Sequence, residues 1–221
     1  MSVRGFRIKD PGSAITHFIG SAMALILAAP LLIRASYTHE MTTVISLAVF
    51  IASMFVLYTA STVYHTFDIN KKVNLRLKKF DHMSIYILIA GSYTPICLVV
   101  LGKQKGIGML ILIWSMALLG IFFTAFFVTC PKWLSSIIYI VMGWTCVLAF
   151  GSIFTALSAD AFGWLLAGGL IYTIGGVIYA LKLPIFNNKH KNFGSHEIFH
   201  LFCLGGSLCH FILMYSFVAR L

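Results

Sequence analysis

The sequence predicts an all-α membrane protein, a bundle of seven transmembrane helices with a cytoplasmic N-terminus and an external C-terminus. Three observations carry that prediction. The chain is 60% hydrophobic and only 10% charged, whereas a soluble domain carries about 25% charged residues. Its apolar residues fall into seven runs, each near the roughly 20 residues that cross a bilayer as a helix. Its lysines and arginines collect on one side of those runs. The mean hydropathy of +0.94 agrees. Residues 1–221 are read as a single domain, because too little polar sequence remains to build a soluble one.

The first run, 13–34, follows a short basic N-terminus. It is too long for a signal-peptide core and has no convincing cleavage site, so it is read as a retained span. Gly20-xxx-Ala24 and Ala24-xxx-Ala28 are small-residue patterns that permit close helix approach, taken here as packing within the chain. The second run, 42–65, ends on Ser61-xxx-His65. After the long basic connection from Thr66 to Phe80, the third run, 81–101, opens on Asp81 and His82. Asp81 suits both a helix N-cap and a catalytic carboxylate. The fourth, fifth and sixth runs, 107–128, 134–156 and 162–181, are almost uniformly apolar. Gly176-xxx-Ala180 in the sixth repeats the small-residue pattern. The seventh, 196–218, follows the connection Lys182 to Ser195. Ser195 is its expected N-cap, and Glu197 falls in the first turn, where a carboxylate meets the positive end of the helix dipole.

Orientation follows from the basic residues. Arg4, Arg7, Lys9, Lys71, Lys72, Arg76, Lys78, Lys79, Lys132, Lys182, Lys189 and Lys191 fall on one side; Arg34, Lys103, Lys105 and Arg220 fall on the other. The richer side is cytoplasmic by the positive-inside rule. The formal net charge of +10 is then a property of membrane edges facing anionic headgroups, and a nucleic-acid partner is unnecessary. Cys97, Cys130, Cys146, Cys203 and Cys209 lie in or beside apolar runs without CxxC spacing, which points to neither a disulfide framework nor a thiolate metal site.

Ionisable side chains inside a membrane span are costly and mark function. His196-Glu197-Ile198-Phe199-His200 sets two imidazoles at i and i+4 on one helical face, roughly 6 Å apart along the axis. The topology brings His17, Ser61, His65, Asp81 and His82 to the same depth at the cytoplasmic side. His65, His196 and His200 are therefore candidate ligands of a zinc ion, three neutral imidazoles that leave a fourth position open for water. There Asp81 would hydrogen-bond the water and take its proton, and Ser61 would orient the water or a substrate oxygen. His17 and His82 are candidates for orienting the ligands. A site facing the headgroups favours a lipid carbonyl as substrate, and no feature points to a soluble protein partner.

Plainer roles stand beside these. His196 and His200 also suit a hydrogen-bonded interfacial pair, His65 an interfacial residue beside Tyr64, and His17 and His82 structural positions. The same string reads as H-E-x-x-H, the zinc-protease pattern with Glu197 as base, although the first-turn role for Glu197 is preferred. His210, deep in the seventh run, is read as packed and hydrogen-bonded, and His39 and His190 as loop residues.

Ser61-xxx-His65, Asp81, Gly91-Ser-Tyr-Thr-Pro95 and His196-xxx-His200 together resemble the hemolysin III family, bacterial relatives of the progestin and adiponectin receptor (PAQR) family. The resemblance covers essentially the whole chain. It implies a seven-helix bundle in the bacterial cell membrane, zinc held near the cytoplasmic face by His65, His196 and His200, and Ser61 and Asp81 in the same site. Because the wider superfamily includes alkaline ceramidases, it also implies hydrolysis of a membrane lipid amide or ester. Glu197 is not required by the family pattern. Three function classes stand open: a zinc-dependent lipid hydrolase, a non-catalytic membrane sensor or regulator with structural zinc, and a channel or cytolysin-like protein. Polar residues confined to one leaflet argue against a continuous ion path.

Overall fold

A computed structural model of the chain describes residues 8–181 and 193–221. Arg4, Arg7, Lys182, Lys189, His190 and Lys191, used above for orientation or assigned to a loop, lie outside the described residues. The described residues are helical and include no strand. They form Pro11–Ser36 (α1), Met41–Thr66 (α2), Lys71–Pro95 (α3), Gly102–Phe127 (α4), Lys132–Gly143 (α5), Phe150–Ala156 (α6), Ala159–Leu181 (α7) and Ser195–Ser216 (α8). Among the described residues, seven helical spans are long and apolar enough to cross a membrane, with α5 and α6 sharing one of them. The chain is a multi-pass membrane protein.

Two boundary differences from the sequence reading bear on the polar end of the bundle. The third helix begins at Lys71, ten residues before Asp81. Lys71–Phe80 is too polar to register as membrane-spanning, but its lysines, leucines and arginine are good helix formers. Asn70 starts the helix, its Oδ1 accepting a hydrogen bond from the Val73 N–H at 3.0 Å. Asp81 is therefore no cap; it sits about three turns inside α3. In α8 the cap position belongs to Gly194, and Ser195 is the first helical residue. The Gly194 N–H is satisfied by Glu197 Oε2 at 2.8 Å.

Two spans are interrupted. α3 reaches Pro95 and continues as a π turn, Ile96–Val100, closed by the Leu101 N–H to the Ile96 carbonyl at 2.9 Å. Between α5 and α6 the chain tightens into a 3-10 segment, Trp144–Ala149. There the Tyr93 hydroxyl donates to the Gly143 carbonyl and accepts from the Cys146 N–H at 2.8 Å. A side chain entering the helical ladder is a recognised cause of such a break.

α1 packs between α2 and α8, α3 against α2 and α5, and α7 against α5 and α8. These helices close a ring in which the first span touches the last, while α4 lies outside it on α3. Its Leu118, Leu119, Phe122 and Phe126 are exposed, as lipid-facing side chains of a membrane helix should be. The main apolar cluster includes Leu31, Phe50, Met54, Leu213 and Val218 and fills the end of the bundle away from the histidines. Gly20 lets the first helix come close: a Cβ there would lie 2.7 Å from Leu204 Cδ2 and 2.8 Å from Tyr58 Cγ. All five cysteines are free.

Candidate metal centre

Three helix ends meet where the ring is least apolar. α2 ends with His65, α8 starts with His196 and His200, and α1 starts beside both. His65 and His200 are buried and His196 is half-buried, and one ring nitrogen from each lies within 4.8 Å of the others. The His65 and His196 Nε2 atoms are only 3.3 Å apart. The group can hold a metal ion.

Hydrogen bonds on the far side of two of the rings, His65 and His200, decide which nitrogen faces inward. His65 Nδ1 lies 3.0 Å from Asp10 Oδ2; a carboxylate only accepts, so Nδ1 carries the proton and Nε2 keeps its lone pair. Thr16 donates its single hydroxyl proton to the Gly12 and Ser13 carbonyls, both at 3.0 Å. Its oxygen is then free to accept from His200 Nδ1 at 3.2 Å, which again leaves Nε2 as the open nitrogen. His65 Nε2 thus presents a lone pair to His196 Nε2 at 3.3 Å, a contact that calls for a cation or a shared proton between them. His196 Nδ1 is buried without a hydrogen bond. Metal-binding histidines characteristically have their other nitrogen held by a carboxylate or an oxygen, as those of His65 and His200 are.

Asp10, Thr16 and Ser13 were not singled out from the sequence. Asp10 precedes Pro11 at the start of α1, the usual place for a capping residue before an N1 proline. Its side chain makes no cap bond and goes to His65 instead, while its backbone N–H donates to the His65 carbonyl at 2.9 Å. The Asp-Pro helix start was a visible signal of an acidic group at this depth, but its partner was not.

Asp81 is buried, and its Oδ2 lies 3.3 Å from His82 Nδ1. His82 thus contacts Asp81, and its carbonyl accepts from the Tyr139 hydroxyl at 3.3 Å. Ser61 is 1% exposed and its hydroxyl has no hydrogen-bond partner. His17 is 3% exposed, with both ring nitrogens unpartnered. It stacks on His200 at 3.6 Å between centroids, with the rings 8° from parallel, so its contact with that ring is through the π face. Glu197 is committed elsewhere: Oε1 accepts from the Ser13 hydroxyl at 2.6 Å and Oε2 from the Gly194 N–H. The carboxylate of the H-E-x-x-H string therefore clasps α1 to α8.

His17, Ser61, Asp81, His82, His196 and His200 all border one cavity, which encloses about 1180 Å³ up to and including its mouth. Below them the wall turns apolar, with Leu57, Ile85, Leu88, Ile89 and Ile140.

The family described as "Haemolysin-III related" matches residues 7–211. The chain is 36% identical to "Hemolysin-3" of Bacillus cereus over 210 residues, covering 95% of this chain and 92% of that protein. It is likewise 36% identical to the "Hemolysin-3 homolog" of Bacillus subtilis (strain 168) over 216 residues, 97% of both chains. A more distant similarity, 25% over 233 residues, joins 93% of the chain to half of the "Adiponectin receptor protein" of Drosophila melanogaster. The chain belongs to the haemolysin-III related family.

Proposed function

We propose that this protein is a zinc-dependent hydrolase of a membrane lipid amide or ester, working at the cytoplasmic leaflet of the bacterial cell membrane. One observation carries the proposal. His196 and His200 of a three-histidine cluster, a buried carboxylate and an unpartnered hydroxyl border a single cavity whose wall turns apolar below them.

The donor set suits zinc. Ligand nitrogens of a tetrahedral zinc with bonds of 2.0–2.1 Å lie about 3.4 Å apart, and the His65 and His196 Nε2 atoms are separated by 3.3 Å. His65, His196 and His200 would hold the ion, with Asp10 and Thr16 fixing two of the rings. When bound, zinc acidifies water to a pKa of roughly 7 and polarises a carbonyl. The protein's own groups do the rest. Asp81 accepts the proton of the attacking water and returns it to the departing amine or alcohol as the carbonyl–heteroatom bond breaks. Ser61 donates a hydrogen bond to the substrate oxygen, and the apolar wall shelters the acyl chain. The excess of lysine and arginine beside the N-terminus supports placing this end of the bundle in the cytoplasmic leaflet.

The test uses purified full-length protein and its Asp81→Asn variant, with defined amide- and ester-linked lipids. Metal analysis should find about one zinc per chain in both. Fatty acid release should occur only with the wild type and stop on chelation. Zinc in both proteins without release from any lipid would overturn the hydrolase and leave the metal as a clamp between α2 and α8, the part expected of a sensor or regulator.

A further inference from the structure

The cavity does not end at the histidine cluster. It continues between α3, α5, α7 and α8 to Trp144, Gly169 and His210. His210 lies ten residues beyond His200 on α8, about 15 Å along the axis, or about half the hydrocarbon thickness of a bilayer.

The sequence reading made His210 a hydrogen-bonded packing residue. In the structure both ring nitrogens are buried and neither makes a hydrogen bond of acceptable geometry. The Leu165 carbonyl beside the ring has use only for an N–H. A neutral imidazole carries one donor and one acceptor, so one nitrogen still wants a donor.

The polar groups around it are satisfied. The Tyr172 hydroxyl and Ser207 Oγ are 2.6 Å apart, and Ser207 Oγ lies 2.5 Å from the Tyr58 hydroxyl. Trp144 Nε1 donates to Thr173 Oγ1 at 2.9 Å, and Ser92 Oγ to the Leu88 carbonyl at 2.9 Å. His210 differs, although the fold makes room for it: a Cβ on Gly168 would overlap the imidazole ring. An accommodated, unpartnered acceptor at the deep end of an apolar channel calls for a ligand that donates.

We infer that the channel takes an acyl chain bearing a hydroxyl group, and that His210 determines specificity by accepting the hydrogen bond of that hydroxyl. The inference rests on the lipid reading above for the identity of the chain. An extended chain advances about 1.2 Å per covalent bond. The hydroxyl should therefore lie about twelve bonds from the group held at the histidine cluster. A carbonyl substituent cannot donate, and an unsubstituted chain leaves the nitrogen bare.

The experiment measures binding. Stearic, 12-hydroxystearic and 12-oxostearic acids compete with a fluorescent fatty acid on detergent-solubilised full-length protein, in both the wild type and Asp81→Asn. One buried hydrogen bond should make the hydroxy acid roughly tenfold tighter than stearic acid in both proteins, with no advantage for the oxo acid. In His210→Leu the ratio should fall to about one while stearic acid binds as before. Gly168→Ala, which displaces the ring but keeps it, should reduce the ratio as well. Equal binding of stearic and hydroxystearic acids by the wild type overturns the inference and leaves the hydrolase standing. A preference that survives His210→Leu does the same. If none of the acids displaces the label, the lipid reading falls with it.

Discussion

Asp10 and His65 are joined twice, side chain to side chain at 3.0 Å and Asp10 N–H to His65 carbonyl at 2.9 Å. The pair fixes both the tautomer and the plane of a candidate ligand from a residue 55 positions away. Asp10→Ala should weaken metal binding roughly 10–100-fold, read by titrating purified protein with a competing chelator. Asp10→Asn retains an acceptor oxygen and should lose less. Wild-type affinity in both variants would show that the contact does not hold the ring for the metal.

Thr16 plays the corresponding part for His200, with a neutral oxygen in place of a carboxylate. Thr16→Val keeps the shape of the side chain and removes its oxygen. Its loss of metal affinity should be real but smaller than that of Asp10→Ala, because hydrogen bonds to charged groups are the stronger class. The same chelator titration ranks the two, and the reverse order would contradict the assignment of tautomers.

Glu197 is bound through both oxygens, to Ser13 and Gly194. Glu197→Gln should keep its metal and its lipid turnover while costing about 1 kcal/mol of stability, visible as a lower melting temperature in detergent. Loss of turnover with metal retained would restore Glu197 to the role of base in a zinc protease.

Gly20→Leu tests the contact among α1, α2 and α8. The new side chain must displace Tyr58 and Leu204, and overpacking of this kind costs typically 1–3 kcal/mol. Thermal unfolding of the purified variant should show the loss, and an unchanged melting temperature would mean that the helices separate freely.

Asn70→Ala removes the cap of α3 and should cost about 1 kcal/mol. The cost is local, so the sharper readout is faster amide exchange across Lys71–Lys79 with the remaining spans unchanged. Exchange that is already fast in the wild type would contradict a helix beginning at Lys71.

Membrane class and span count were legible because apolar run length is itself the constraint imposed by a bilayer. The start of α3 was not: Lys71–Phe80 is helical without being apolar, and hydropathy reports burial in lipid, not helicity. His196 and His200 were legible through their i, i+4 spacing, and His65 through the depth at which its span ends. Ser13, Thr16 and Asp10 were hidden because their partners lie 184, 184 and 55 residues away; no local pattern encodes such a pairing. The sequence also exposed the histidine at position 210 but not its lack of a partner, since hydrogen-bond satisfaction depends on packing among helices far apart in the chain.

The Ser13–Glu197 and Thr16–His200 contacts tie α1 to α8, two helices separated by the other described spans. The ligand set therefore remains incomplete until α8 is made, and a chain arrested before that helix carries only His65 of the three histidines. A metal held by all three histidines would then act as a receipt for α8, marking that this helix has come to lie beside α1 and α2.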